Sequence, residues 1–333
     1  MRGHEKIQTE RLLLRPLQGA DEAAWVAGLS DFEVAKWLAT PPIPYTPADF
    51  CSFLATAEPG SHWAIEDATG VCGGISLAPH LGYWLAARAQ GRGYATEAAR
   101  AVLAAHFARP EAGALKSGYF EGNTASARVL EKLGFSEISR GPEPSRPLGR
   151  MLAHFTLGLT REAWAAANPF TLSTRRLALD PVTGADAVAI RRIVTDPRVG
   201  RMLFVFSPTL TEAEALGFAR SWRWTGTPPF RLALRRGEEF VGAIGLKSLV
   251  DPEIYYFLAP ELHGQGLMSE VLPCFIDAIT ARFGLARLTA KVFTDNPASA
   301  HLLAQNGFRP GPTSQITSPA RSTPTPVRVF IRP

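Results

Sequence analysis

The octapeptide TERLLLRP at residues 9–16 returns as TRRLALDP at 174–181, and DFEVAKWL at 31–38 returns as DPRVGRML at 196–203, both at an offset of 165. The offset then becomes 173 and holds without a gap for 82–135 against 255–308. Those 54 positions contain 18 identities, among them Gly91/Gly264, Gly93/Gly266, Glu97/Glu270, Asn123/Asn296, Ser126/Ser299 and Phe135/Phe308. Solenoid units repeat every 20–50 residues, so a repeat this long describes two whole domains. The length of 333 residues agrees, at roughly 100–200 residues per domain. The segment REAWAAAN at 161–168 reads as a short Ala-rich helix stopped by Pro169, which sets the expected domains at 1–166 and 167–333.

Within the first copy, period-2 patterning predicts strands over 11–17, 62–66, 71–77, 81–85, 114–120 and 151–157. Period-3.6 patterning predicts helices over 21–29, 47–57, 93–107 and 123–133. The expected order, β-α-α-β-β-β-α-β-α-β-β, has one more strand after the last helix than those six, and mixes hairpins with helical crossovers. The expected class is therefore α/β with a mixed sheet in each half.

The net charge is +5, and its excess lies in the second half, where 161–333 hold 20 basic and 14 acidic residues against 15 and 16 in 1–160. Arginines there stand singly or in pairs, with no basic run of five. A solvated basic surface is expected rather than a nucleic-acid site, and the same charge suits an anionic partner. No apolar run approaches the roughly 18 residues of a membrane helix, and residues 1–15 lack the apolar core of a signal peptide. The expected location is the cytoplasm, with no membrane partner. Cys51, Cys72 and Cys274 form no CxxC and read as small hydrophobes. His62, His106 and His301 lie at no metal-ligand spacing and no HExxH occurs, so no metal is expected.

Chemistry concentrates where the strand at 81–85 runs into the helix, in YWLAARAQGRGYATE at 83–97. Glycines there allow a tight turn that points successive N–H groups outward, and a helix N-terminus adds unpaired donors and the positive end of its dipole. Such a junction holds phosphate anions. It is no P-loop, since no Gly-Lys-Ser/Thr follows, and GxGxxG fails at Thr96.

Thirty residues after Gly93 comes a second element, NTASARVLEKLGF at 123–135. Together the two resemble the GNAT acetyltransferase superfamily. Its Gln/Arg-x-x-Gly-x-Gly/Ala motif is met by Gln90, Gly93 and Ala95, while GYWL at 82–85, YATEA at 94–98 and RVLEKLGF at 128–135 look like the RimJ/RimL branch. The likeness spans 7–158. It implies that the amides of Gly91, Arg92, Gly93, Tyr94, Ala95 and Thr96 bind the pyrophosphate of acetyl-CoA, the co-substrate. It also implies that Trp84, Leu85 and Ala86 pair through backbone with the pantetheine arm, strand amides near Trp84 and Leu85 stabilising the oxyanion. Asn123 belongs to the same cofactor-binding set. The second copy resembles the family too, through Gly264, Gly266 and Asn296. There His263 replaces Gln90 and Met268 replaces Ala95, and a Pro/Ser/Thr-rich stretch at 311–326 has no match in the first copy, so weaker cofactor binding is expected.

The tyrosine that many members use to protonate the leaving thiolate is missing, Leu130 and Leu303 standing in its place. The RimL-like branch instead implies a serine on the same helix, Ser126 or Ser299. The family's base is commonly a carboxylate on the strand before the loop. His80 in the first copy and Glu253 in the second hold that position. Glu97 and Glu270 sit where a carboxylate serves the helix dipole and are left out of the catalytic set. The function implied is transfer of acetyl from acetyl-CoA to a primary amine by direct attack. The acceptor is a protein N-terminal amine or a small-molecule amine, with Trp37, Tyr45 and the loop 41–44 as walls of its pocket or as ordinary apolar contacts. The rival reading is a non-catalytic acyl-CoA-binding or scaffold protein with GNAT folds.

Overall fold

The structure, a computed structural model, describes residues 6–333; the first five residues, part of the segment read for a leader, lie outside the described residues. The chain forms two compact units, one of residues up to 107 with 111–168, the other of 169–333 with 108–110. No helix among the described residues is long and apolar enough to cross a membrane.

In the first unit, strands Ile7–Gln8, Leu13–Pro16, His62–Asp67, Gly70–Leu77 and Leu81–Leu85 form one antiparallel sheet in chain order. Leu115–Phe120, Arg150–Leu159 and Ser136–Ser145 form a second sheet, with Arg150–Leu159 in the middle. Helices Glu22–Ser30, Pro47–Thr56, Tyr94–Phe107 and Thr124–Lys132 fall in the expected order, joined by the four-residue Phe32–Ala35. The second unit repeats this with a sheet ending on Ile254–Leu258 and another built from Leu288–Phe293, Thr325–Arg332 and Arg309–Ile316. Every ladder is antiparallel, and the parallel component appears where two sheets meet, as the bridge between Glu253 and Thr289.

Helix Tyr94–Phe107 buries Ala98, Ala99, Val102, Leu103 and Phe107, a stripe at helical spacing. The alanines let it lie close on the sheet, while Leu103 and Phe107 are fully buried, so truncating either to Ala would cost about 2–5 kcal/mol. Cys72 is buried in the same core, whereas Cys51 lies exposed on Pro47–Thr56 and is no core hydrophobe. Helix Arg161–Ala167, capped by Thr160, is part of the first unit, with Trp164 fully buried. A Cβ at Gly134, where φ is +92°, would stand 2.8 Å from the Ala163 carbonyl, so the Gly-Phe turn is where this helix packs.

Strand Ser136–Ser145 contains Gly141, Pro142 and Pro144 and carries no apolar alternation, which hid it from periodicity. It is tolerated because it is an edge strand, where a missing N–H faces no ladder. Its counterpart Arg309–Ile316, with Thr325–Arg332, accounts for the Pro/Ser/Thr-rich stretch. The stretch is thus a hairpin shared by both copies, contrary to the expectation that it marks the second alone.

The eight residues by which the copies differ enter as two groups of four. Helices Pro47–Thr56 and Glu212–Ser221 match at offset 165, the pairs His62↔Ser76 and Arg231↔Gly245 at 169, and strands Leu81–Leu85 and Ile254–Leu258 at 173. One ion-pair network survives this drift by changing hands. Arg15 binds Asp21 through two bonds of 2.7 and 2.9 Å and Glu66 at 2.8 Å. In the second unit the arginine sits on the neighbouring strand, and Arg235 binds Asp180 at 2.8 Å and Asp186 at 3.0 Å.

Candidate active site

Beyond Leu81–Leu85 a short turn, Ala87–Ala89, leads through Gln90 to the helix at Tyr94. Gly91 and Gly93 have φ of +74° and +79°, and Gly264 and Gly266 have +75° and +71°, a region other residues enter at a cost. The amides of Gly91, Arg92, Gly93, Tyr94, Ala95 and Thr96 donate to no acceptor among the described residues, whereas Glu97 N donates to Gly93 O. Six consecutive free donors with no Cβ at two of the residues fit an anionic pyrophosphate. Gln90 Nε2 donates to Leu85 O at 3.0 Å, and His263 Nε2 contacts Leu258 O at the same distance. The histidine therefore reproduces the bond that opens the loop, and the expected weakening at His263 does not follow from this geometry.

Sequence reading passed over Arg11, which clamps the loop. Its Nη1 donates to Arg92 O at 2.9 Å, its Nε to Glu97 Oε2 at 2.8 Å, and its guanidinium lies 5.0 Å from the Tyr94 ring centre. Thr9 Oγ1 and Arg11 N both donate to Glu97 Oε1. Partial burial alone would raise the Glu97 pKa, but these hydrogen bonds outweigh it and hold the carboxyl below its ordinary value. Arg176 repeats the clamp on Gln265 O and Glu270. Glu97 thus positions the loop, a role that only its partner 86 residues away reveals.

No ladder joins Leu81–Leu85 to Leu115–Phe120; the buried Ser117 hydroxyl donates to Leu81 O at 2.8 Å and ties them at one end. Ala86 N donates to Cys72 O, and the alternation this imposes spends the Trp84 N–H on Gly74 and turns those of Tyr83 and Leu85 to the open edge. Ala86 O accepts from Ala89 N. The backbone of Ala86 is therefore committed within the protein. Tyr83 and Leu85, rather than Trp84 and Ala86, carry their amides on the open edge of the strand.

Across this opening the Tyr83 hydroxyl stands 2.8 Å from Ser126 Oγ, and in the second unit Tyr256 stands 2.7 Å from Ser299 Oγ. Burial pushes the Tyr83 phenol up to about 12, so it stays protonated. Asn123 Oδ1 and Asn296 Oδ1 accept from Ser126 N and Ser299 N at 3.1 Å, capping their helices and fixing the serines at the mouth of the first turn.

On the face of the first sheet lies a cavity of about 480 Å³. Its floor is Trp84, wedged between Gly28 and Gly74, where a Cβ would come within 2.3 and 2.9 Å of the indole, and set edge-on to Trp25 at 5.0 Å. Tyr45, Pro41 and Pro42 line it as the sequence suggested; Trp37 does not, and packs beside Gly122. His62, Ser76 and Tyr83 also line it. His80 is exposed and lies outside the lining. Glu253 is buried and bound by Lys291 at 2.9 Å and Lys247 at 3.5 Å, beside its bridge to Thr289, which makes it a sheet-joining ion pair. Among the described residues no group of His, Cys, Asp and Glu could hold a metal ion.

A family model described as an acetyltransferase (GNAT) domain matches the chain twice, at residues 11–136 and 176–309. The chain belongs to the GNAT acetyltransferase family through both halves. It is similar to the uncharacterized N-acetyltransferase YoaA of Bacillus subtilis (strain 168), 32% identical over 151 aligned positions, with 41% of this chain and 82% of that protein covered. Among solved structures it is similar to RimL, a ribosomal L7/L12 alpha-N-protein acetyltransferase in complex with coenzyme A. That likeness is 16% identical with a TM-score of 0.43, over 49% of this chain and 97% of that one. It is also similar to Mycobacterium smegmatis RimJ in complex with CoA-disulfide, 23% identical with a TM-score of 0.42, over 47% and 88%.

Proposed function

We propose that the first unit, 1–166 by its sequence limits, moves the acetyl group of acetyl-CoA to a primary amine held in the Trp84 cavity. The reading rests on one juxtaposition: six free amides at Gly91 to Thr96, the open edge at Tyr83 and Leu85, and the cavity all adjoin a single strand, Leu81–Leu85. The amides take the pyrophosphate, with Asn123 at the head of the next helix. The edge amides take the pantetheine and the oxyanion that forms when the amine attacks the thioester carbon. Ser126, receiving a hydrogen bond from the protonated Tyr83, keeps its own proton for the departing thiolate.

The acceptor is a small-molecule amine or a protein N-terminal amine entering by its first residues, since a cavity of this size suits a ligand of that scale. Release of free thiol from acetyl-CoA across a panel of small amines and N-terminal peptides tests the reading. Turnover on any of them supports it; tight acetyl-CoA binding with no turnover on the whole panel leaves the non-catalytic alternative.

A further inference from the structure

One cross-strand row spans the cavity of the first unit. His62 faces Ser76, and Ser76 faces Gly82, on three neighbouring strands. Such neighbours stand about 4.5–5.5 Å apart, and all three line the cavity. Hydrogen bonding sets the histidine's tautomer. Ser61 Oγ gives its single hydrogen to Glu58 O at 2.6 Å, so towards His62 Nδ1, 2.7 Å away, it can only accept. Nδ1 therefore carries the proton, and Nε2 keeps a lone pair that no group among the described residues engages. Phe53 holds the ring edge-on at 5.1 Å. Burial lowers the His62 pKa below its ordinary value, against the opposing pull of Glu58, and so favours the neutral ring. Ser76 Oγ reaches towards the strand edge, 3.3 Å from where a Gly82 Cβ would be, and glycine leaves the way open.

We propose that His62 is the catalytic base of the first unit, taking the acceptor's proton through the Ser76 hydroxyl and cavity water. This rests on the reading of that unit as an N-acetyltransferase. The amine nitrogen forms its bond to the acetyl carbon and the carbon–sulfur bond breaks. The proton lost by nitrogen passes to His62 Nε2 and on to solvent, and the thiolate takes the Ser126 proton, which solvent replaces. The same row in the second unit is Arg231, Gly245 and Tyr255. There the Arg231 guanidinium is packed 3.5 Å from the Trp222 ring centre and 4.1 Å from that of Tyr255, against Gly245, at 9% exposure. Burial pushes its pKa down to about 10, so it stays cationic near neutrality and accepts no proton. In the second unit this row therefore offers Arg231 in place of the histidine.

Nitrogen NMR of the full chain, with His62→Gln assigning the signal, is expected to show a neutral ring protonated at Nδ1 at pH 7. A ring protonated at Nε2, or at both nitrogens, overturns the proposal independently of any activity. With an acceptor from the panel, His62→Gln is expected to lower kcat about 100-fold, leave the acetyl-CoA Kd unchanged and remove the acidic limb of the kcat–pH profile. Ser76→Ala should lower kcat about tenfold and keep the limb. The charged groups facing His62 are Glu58, beside the ring, and Asp49 and Arg146 on the cavity wall. Glu58→Gln should move the limb to lower pH without abolishing it. A folded His62→Gln enzyme with the wild-type rate and profile overturns the base and leaves the N-acetyltransferase reading standing. A wild-type chain that releases no thiol with any amine removes both.

Discussion

Tyr83 and Ser126, 43 residues apart, share a hydroxyl–hydroxyl bond of 2.8 Å across the opening between the two sheets of the first unit, and Tyr256 and Ser299 repeat it at 2.7 Å. The phenol, held protonated by burial, also stands 3.4 Å from Ser126 O. With the phenol as donor in this pair, the serine is left with a hydrogen to give.

Ser126→Ala should therefore lower kcat by about 100-fold with little change in acetyl-CoA Kd, the sign of a group used only in the transition state. Tyr83→Phe should lower it by about tenfold, and the double variant should be no slower than Ser126→Ala, because both act through one proton. Steady-state kinetics with calorimetric Kd values decide it, and unchanged rates in both variants return the serine to a structural role beside Tyr83.

Gly93→Val places a β-branched residue at φ +79° in the loop that offers its amides. At about 1–2 kcal/mol for a left-handed residue, acetyl-CoA affinity in the first unit should fall about 5–30-fold while the far-ultraviolet spectrum is retained. An unaltered Kd in a folded variant removes the phosphate-loop assignment.

Glu97 contributes stability through a depressed pKa, which fixes the sign of its pH dependence. Its contribution is complete above the unfolded glutamate value of about 4.3 and is lost as pH falls through the lower folded value. The Tm gap between wild type and Glu97→Gln should be open at pH 7 and narrow as pH falls below the unfolded glutamate value of about 4.3. Arg11→Met should weaken acetyl-CoA binding about tenfold by freeing the Arg92 carbonyl from its clamp. A pH-independent gap, or a loop variant with native affinity, contradicts the clamp.

Calorimetry should find two acetyl-CoA sites of unequal strength per chain, since both loops keep left-handed glycines while Met268 stands where Ala95 does. Gly93→Val should weaken the tighter event and lower turnover at subsaturating acetyl-CoA with it. Gly266→Val should weaken the other event and leave turnover intact. Turnover lost with Gly266→Val places the working unit in the wrong half of the chain.

The duplication, the element order and the glycine turn before the helix were legible in the residues because each depends on local chemistry. A left-handed turn needs glycine, a helix start needs a capping asparagine, and an apolar face needs its period. Strand Leu81–Leu85 was read to the residue, and Asn123 and Gly134 bracket their helix as its caps suggest. What stayed hidden depends on which residues face one another across strands. Nothing near His62 in the chain points to Ser76 or Gly82, and nothing near Glu97 points to Arg11. The swap of Arg15 and Glu66 for Asp180 and Arg235 even erases the identity that a comparison of the copies relies on. Register in an antiparallel sheet is set by loop lengths and by which face the core claims, and a four-residue insertion in each of two loops changed the offset twice. Chemistry carried by register therefore emerges only once the strands are paired.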